Sequence, residues 1–208
     1  MITLYDYEMS AECYKVRAVL DYLDLEYDSI ALEEFVPDDP SITPVVALND
    51  QRVVPNVVLH QPVAAMLHLA DTYDAPGSLL PRSDPARRAI ALDWLLFSQS
   101  LSNSAGAARR HEAFGEPLDV GAAREEAHRL LNTLDRHLWF GEQLGHDFVA
   151  EEFSLADIAC FPDVALSDEG GIDRRDYPAV RRWCDRVKRV PRMSLMPGIF
   201  PASPARVL

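Results

Sequence analysis

The spacing of apolar residues predicts a short strand that leads directly into a helix at the start of the chain. Residues 2–7 have the β-branched and aromatic character of a strand. From Val16 to Leu23, apolar residues recur at the i, i+3, i+4, i+7 spacing of one buried helical face. Ser10 therefore lies where the strand passes into the helix N-terminus. Unpaired backbone N–H groups and the helix dipole favour a negative charge at such a position.

The next part of the chain predicts a mixed α/β unit. Residues 25–32 have the pattern of a second strand. The β-branched runs 44–48 and 52–59, separated by Asn49-Asp50-Gln51, predict a hairpin. Residues 63–70 predict a helix, and Pro62 suits its first position.

Beyond this unit the pattern becomes almost entirely helical. A proline-rich stretch, 76–85, reads as a linker. The expected organisation is a small α/β domain at 1–75, this linker, and an all-helical domain at 86–208. Helices are predicted at 86–100, 121–140, 153–162 and 179–190, with a loop or helix break at 111–119 and an irregular tail from 197. Ser154 and Asp157 have the spacing of a capping box, a folding feature.

Composition and charge exclude several functional classes. The 208 residues carry a net charge of −13, whereas a nucleic-acid partner or an anionic membrane surface would require a basic face. No apolar run approaches the roughly 18 residues of a membrane span, and the first residues lack a signal-peptide pattern. A cytoplasmic location is therefore expected.

The cysteines and histidines do not form a metal or disulfide pattern. The three cysteines are odd in number and far apart, and the six histidines are scattered. A glycine-rich nucleotide-binding loop is also missing from the sequence. We therefore expect neither a metal nor a dinucleotide cofactor.

Five segments together resemble the cytosolic glutathione transferases of the serine type. Ser10 followed by Lys15-Val16-Arg17 resembles the start of the first helix in that family, and Thr43-Pro44-Val45-Val46 resembles the segment with a cis-proline before the third strand. The remaining three segments are His60–Ala64 with Leu69-Ala70-Asp71, Phe153–Ala159, and Tyr177-Pro178 with Trp183. The resemblance implies a thioredoxin-like α/β N-terminal domain, an all-α C-terminal domain, glutathione as co-substrate and a homodimer.

Ser10 has two interpretations. The hydroxyl caps the helix, or it donates a hydrogen bond that stabilises the glutathione thiolate, as the resemblance implies. Tyr7 and Tyr5 are competitors, because some branches of the family use a tyrosine near the end of the first strand, and we expect Tyr5 to pack in its strand. Ser10-Ala11-Glu12-Cys13 has the spacing of a Cys-x-x-Cys motif in which serine replaces the first cysteine. Cys13 stands at the second cysteine position, where we expect a partly buried, unreactive thiol.

The rest of the implied glutathione site comes from three positions. The backbone of Thr43, before the suspected cis Pro44, would pair with the cysteinyl part of the tripeptide, and Pro55 is a rival for the cis position. Gln61 would face the γ-glutamyl end. Pro62 stands where the family usually has a serine, so a hydroxyl and an N–H that would bind the γ-glutamyl carboxylate are missing. An alternative register places Asn56 at the carboxylate but puts Pro62 inside a helix.

The second-substrate pocket is implied to lie between the two domains. Small residues between 98 and 108 suggest a helix with room beside it, and Arg109-Arg110-His111 could receive an anionic substrate or could simply complement the helix dipole. The candidate pocket residues are Tyr7, Ser100, Asn103, Ser104, Ala107, Arg109, Arg110, His111 and Phe114.

The expected function is a glutathione transferase that directs an activated glutathione thiolate at a small hydrophobic electrophile. Two alternatives stay open. One is a glutathione-dependent isomerase or lyase of the same fold. The other is a non-catalytic binding protein of this fold, which Pro62 favours.

Overall fold

The structure, a computed structural model, describes residues 1–31 and 47–202 of the chain. A four-stranded sheet with the order β2-β1-β3-β4 forms its N-terminal part. β1 runs parallel to β2 and antiparallel to β3, and β3 runs antiparallel to β4. The predicted antiparallel pair is observed, but the predicted turn is wrong, because Asn49 and Asp50 belong to β3 and the connection to β4 runs over 51–56. The strands are β1 (Ile2–Asp6), β2 (Asp28–Ala31), β3 (Ala47–Asp50) and β4 (Val57–Leu59).

Two helices accompany the sheet and bury the faces that their sequences predict. The first, α1 (Ala11–Tyr22), buries Val16, Val19 and Leu20. The second, α2 (Pro62–Tyr73), begins with the proline at its first position, as predicted. The two helices pack against each other and against the strands.

Five α-helices and two short 3₁₀ helices, Ser167–Gly170 and Arg174–Asp176, lie in the rest of the described chain, with a π-helical segment, Ser102–Gly106, between the first two α-helices. The predicted break at 111–119 is wrong in its first part, because the helix continues to Phe114. Gly115, with φ of 72°, then ends it in the left-handed conformation that glycine adopts without steric cost. The helices are α3 (Pro85–Leu101), α4 (Ala107–Phe114), α5 (Val120–Gln143), α6 (Leu155–Ala165) and α7 (Pro178–Val187).

Helix α6 lies at the centre of the core, with all eleven of its residues buried. The capping box of Ser154 and Asp157 is confirmed at its start. Asp157 also accepts hydrogen bonds from Trp183 Nε1 at 2.8 Å and from the Val149 N–H at 3.1 Å. Burial raises the pKa of Asp157 to about 6 against the effect of these donors. The carboxyl thus ties α6 to α7 and to the chain before α6.

Within residues 1–31 and 47–202, no helix has both the length and the apolar character needed to cross a membrane.

Candidate functional site

The turn between β1 and α1 holds Ser10 as a helix cap. The Ser10 N–H donates to the Tyr7 carbonyl at 2.9 Å, and its Oγ accepts the N–H of Cys13 at 3.2 Å. A hydroxyl is both donor and acceptor, so the capping bond leaves its proton for another acceptor. The two interpretations of Ser10 are therefore compatible, since one hydroxyl can cap the helix and donate to an anion. The cap also leaves the N–H groups of Ala11 and Glu12 for an acceptor outside the helix.

The thiol of Cys13 is withdrawn from this turn. Its side chain is buried, and its sulfur accepts the Tyr7 N–H at 3.4 Å. Burial raises the pKa of the Cys13 thiol. A buried neutral thiol is a poor nucleophile, which supports the expected unreactive cysteine.

Ser10 follows β1 and Gln61 follows β4, and the carboxyl ends of these two strands lie at the same end of the sheet. Leu4 of β1 pairs with Leu48 of β3, and Leu48 pairs with Leu59 of β4, so the carboxyl ends of β1 and β4 flank the start of β3. The ends of β1 and β4 are two strand spacings apart, or roughly 10 Å. An extended ligand along this edge could contact both helix N-termini.

The N-terminus of α2 carries no side-chain cap. Gln61 occupies the cap position, is exposed and makes no capping hydrogen bond. Pro62 at the first helical position lacks an N–H, but the N–H groups of Val63 and Ala64 still point out of the helix end. The loss of donors at Pro62 is thus partial, because the next two backbone donors are uncapped.

Two predicted site residues, Thr43 and Pro44, lie outside the described residues. In the described part of the chain, the cis peptide bond is Val54–Pro55, which precedes β4. Pro55, the alternative to Pro44 as the cis-proline, is therefore a cis-proline. Tyr5, expected to pack within its strand, is partly exposed on the sheet face opposite Leu4.

Arg109 brings the helical part of the chain onto the Ser10 turn. The side chain is 3% exposed; its Nη1 donates to the Met9 carbonyl at 2.9 Å, and its Nε donates to Glu169 Oε2 at 2.6 Å. The guanidinium carbon lies 5.5 Å from the centre of the Phe114 ring. That ring meets Tyr7 edge-on, with centroids 6.1 Å apart. Tyr7, Arg109 and Phe114, three of the candidate pocket residues, thus lie close together beside the turn.

The other candidates on this helix are directed elsewhere. Arg110 pairs with Glu116 at 2.6 Å, and His111 Nδ1 lies 2.8 Å from the Glu116 carbonyl oxygen. Ser104 is buried and donates to the Ser100 carbonyl at 2.7 Å, so its hydroxyl is used within its own helix. Ala107 is also buried, whereas Ser100 and Asn103 are exposed.

A buried charge cluster next to the turn was not anticipated from the sequence. Lys15 is fully buried, with Nζ 2.8 Å from Asp163 Oδ2, 2.7 Å from Glu12 Oε1 and 2.6 Å from Ser102 Oγ. Burial alone would lower the pKa of Lys15, but the charges of Asp163 and Glu12 raise it above its usual value. A Cβ at Gly106 would overlap the Asp163 carboxylate, so glycine is required there. One signal was present: Lys15 precedes Val19 by four residues and so lies on the buried face.

A separate open cavity of about 740 Å³ lies in the helical part of the chain. None of the sequence-predicted site residues lines it. Two of the cations that line it are paired with acids: Arg174 Nε donates to Asp168 Oδ2 at 3.0 Å, and Lys188 Nζ lies 3.6 Å from Asp185 Oδ1. The candidate site is therefore the Ser10 turn and not this cavity.

The fold is that of the glutathione transferases, a small mixed sheet followed by a helical domain. Residues 104–186 match the family described as Glutathione S-transferase, C-terminal domain. The chain is similar to the disulfide-bond oxidoreductase YfcG of Escherichia coli (strain K12), with 26% identity over 212 residues covering 92% of each chain.

Two solved structures extend the likeness over nearly the whole chain. A glutathione S-transferase from Pseudomonas fluorescens Pf-5 is 25% identical with a TM-score of 0.78, covering 94% of this chain and 98% of that one. A glutathione transferase from Pseudomonas putida, with one glutathione disulfide bound per subunit, is 26% identical with a TM-score of 0.73, covering 92% and 88%.

Proposed function

We propose that the protein is a member of the glutathione transferase superfamily that binds glutathione and activates its thiol. The observation that carries this proposal is the Ser10 turn. A hydroxyl with a proton to donate stands at the N-terminus of α1, and the only cysteine of the turn is buried. Ser10 cannot act as a strong base near neutral pH, so it stabilises the thiolate by donating a hydrogen bond, assisted by the helix dipole.

The γ-glutamyl end of the ligand would lie at the N-terminus of α2. The uncapped N–H groups of Val63 and Ala64 replace in part the donors that Pro62 lacks, and Gln61 adds an exposed amide. An extended tripeptide spans roughly 10 Å, which matches the separation of the two strand ends. The backbone of Thr43 next to Pro44 would pair with the cysteinyl part.

The electrophile would lie on the side of the turn that faces α4. Tyr7 and Phe114 supply aromatic surface there, and bound glutathione would present its sulfur to a group held beside it. The chemistry is attack by a positioned thiolate, with the S–C bond formed as the leaving group departs.

Binding is tested by thermal shift with millimolar glutathione. Stabilisation that rises with ligand concentration is expected, because a ligand that binds only the folded state adds to its stability. A melting temperature that does not move would overturn the proposal and leave a protein of this fold that binds something else.

The role of Ser10 is tested by turnover with chlorodinitrobenzene. We expect Ser10→Ala to lose at least about tenfold in turnover, or about 1.4 kcal/mol of transition-state stabilisation, and Ser10→Thr to retain most of it. Because Ser10→Ala also removes a helix cap, Asp119→Ala is the matched control: Asp119 caps α5 through the Ala122 N–H, away from the turn. Equal turnover in Ser10→Ala and wild type would shift the role to Tyr7.

A second candidate is reduction of a disulfide by glutathione. It is supported by the similarity to YfcG and by the neighbour with bound glutathione disulfide. Two glutathione thiols would be oxidised to glutathione disulfide while the substrate disulfide takes up two electrons and two protons. Since Cys13 is buried with a raised pKa, both electrons would come from glutathione. Cys13→Ser should therefore keep this activity, and its loss would exclude a glutathione-only route.

Homodimerisation is a further part of the proposal. Light scattering of the purified chain should give twice the mass of 23.3 kDa. A single-chain mass would contradict it.

A further inference from the structure

Arg109 places a buried positive charge within one residue of Ser10. Its Nη1 holds the carbonyl of Met9, the residue before Ser10, at 2.9 Å. Arg109 belongs to α4, 99 residues further along the chain than Ser10, so this bond fixes the turn from the other part of the molecule. Its Nη2 is also buried and, within the part of the chain that the structure describes, has no hydrogen-bond partner.

The other charges around the turn are largely paired with one another. Asp6 pairs with Arg17 across β1 and α1, and Glu12 pairs with Lys15. Glu169 is the counter-charge of Arg109, and it is partly exposed, whereas Arg109 is not. The titratable and charged groups of the turn and of the elements next to it are Asp6, Tyr7 and Glu8 before it, Glu12, Cys13, Lys15 and Arg17 on α1, Arg109 on α4 and Glu169 after α6.

We propose that Arg109 is a positioning residue for the thiolate: it holds the Ser10 turn through Met9, and its charge lowers the pKa of the thiol bound there. The proposal rests on glutathione binding at Ser10. A cation favours the ionised form of a neighbouring thiol, and a buried cation is screened less than an exposed one. The interpretation differs from the sequence-based one, in which Arg109 receives an anionic second substrate or complements a helix end.

The expected size of the effect follows from distance and screening. A charge roughly 7 Å away, about two residues of extended chain, at an effective dielectric constant of about 20 shifts a pKa by between one and two units. Glu169 cancels part of this field. Removal of the Arg109 charge should therefore raise the thiol pKa by about one unit.

The test measures the pKa of glutathione bound to the full chain, from the ultraviolet absorption of its thiolate as a function of pH. Arg109→Gln should raise this pKa by about one unit, and Glu169→Gln should lower it, because the counter-charge is gone. Arg109→Lys should give an intermediate value, since lysine keeps the charge but cannot bridge the carbonyl and the carboxylate. Arg186→Gln is the matched control. Arg186 lies on α7 and also bonds one carbonyl, Asp147, and one carboxylate, Glu142, and in the described part of the chain its Nη2 is likewise buried without a hydrogen-bond partner.

The outcomes separate this inference from the proposed function. If the wild-type protein binds no glutathione, both are overturned. If it binds and the thiol pKa is unchanged in Arg109→Gln and Glu169→Gln, the inference alone is overturned. If Arg109 had only a structural role, Arg109→Gln and Glu169→Gln would lower stability, but they would not shift the thiol pKa in opposite directions. Should Arg109→Gln not fold, Glu169→Gln still decides, because a thiol pKa that stays or rises refutes the electrostatic role.

Discussion

Replacement of Lys15 by methionine should destabilise the fold more than any change at a surface ion pair. Methionine fills a similar volume but leaves the carboxylates of Glu12 and Asp163 without their cation. Breaking a buried pair by removal of one partner costs roughly 3–5 kcal/mol, because the remaining charge has lost its solvation and its partner. Total stabilities of natural domains are about 5–15 kcal/mol, so the loss should be visible at once.

The loss should also depend on pH. In the wild type, burial raises the pKa of Glu12, but the charge and hydrogen bond of Lys15 outweigh it and leave the pKa below its usual value. That pairing stabilises the fold above the unfolded pKa of about 4.3 and is lost as the pH falls below it. In Lys15→Met the Glu12 carboxylate keeps its burial without its cation, so its pKa is expected to rise and it should take up a proton first. The difference between variant and wild type should therefore shrink from about pH 7.5 to about pH 5, by about 1.4 kcal/mol for each unit of raised pKa.

Denaturant unfolding followed by circular dichroism at these two pH values is the assay. Arg129→Met is the matched control: Arg129 and Glu126 have the same three-residue spacing on α5, but both are exposed, and we expect no measurable change in midpoint. Adding Asp163→Asn to Lys15→Met should restore part of the stability. A loss in Lys15→Met below about 1 kcal/mol at pH 7.5, or one independent of pH, would refute the argument that this cation compensates buried carboxylates.

Three further predictions concern buried groups. The pKa of Asp157 is about 6 in the folded state and about 3.9 in the unfolded state, so the wild type should lose about 3 kcal/mol of unfolding free energy as the pH rises through this range. Asp157→Asn should remove this dependence of the unfolding free energy on pH. Equally steep dependence in the variant and the wild type would contradict the prediction. Trp183→Phe removes the indole donor to Asp157 and should cost about 1–3 kcal/mol in chemical denaturation at neutral pH; an unchanged midpoint would show that the bond is dispensable. Cys13, Cys160 and Cys184 are all buried with raised pKa values, so a chromogenic disulfide reagent should label the native protein slowly and the unfolded protein three times; rapid native labelling would place a thiol at the surface.

The parts of the fold that depend on local patterns could be predicted from the sequence. The first helix, its cap at Ser10, the proline at the start of α2 and the capping box of Ser154 all rest on residues within one turn of each other. The choice of Tyr7, Arg109 and Phe114 as candidate pocket residues rested on a resemblance that covers nearly the whole chain, and not on any local pattern.

The partners of the buried charges could not be predicted in this way. Lys15 and Asp163 are 148 residues apart, and Arg109 meets Met9 across 100 residues. A single sequence does not indicate which distant carboxylate compensates the charge of a lysine on an apolar helix face. Local pattern also missed the helical residues 111–114, because they form only the last turn of α4 before Gly115 and the helix depends on its connection to the preceding segment.

The π-helical segment at Ser102–Gly106 has a consequence for the way this helix could change over evolution. A π turn accommodates one more residue than the α-helix around it, and each residue of an α-helix turns the direction of its side chain by about 100°. Deletion of the exposed Asn103 would therefore let this segment return to a plain α-helix, and the later side chains of α4 would keep their direction relative to α3. Arg109 would then still face Met9. Insertion of a further residue would instead rotate α4 by about 100° unless the turn widened again, so this segment should tolerate a single deletion better than a single insertion.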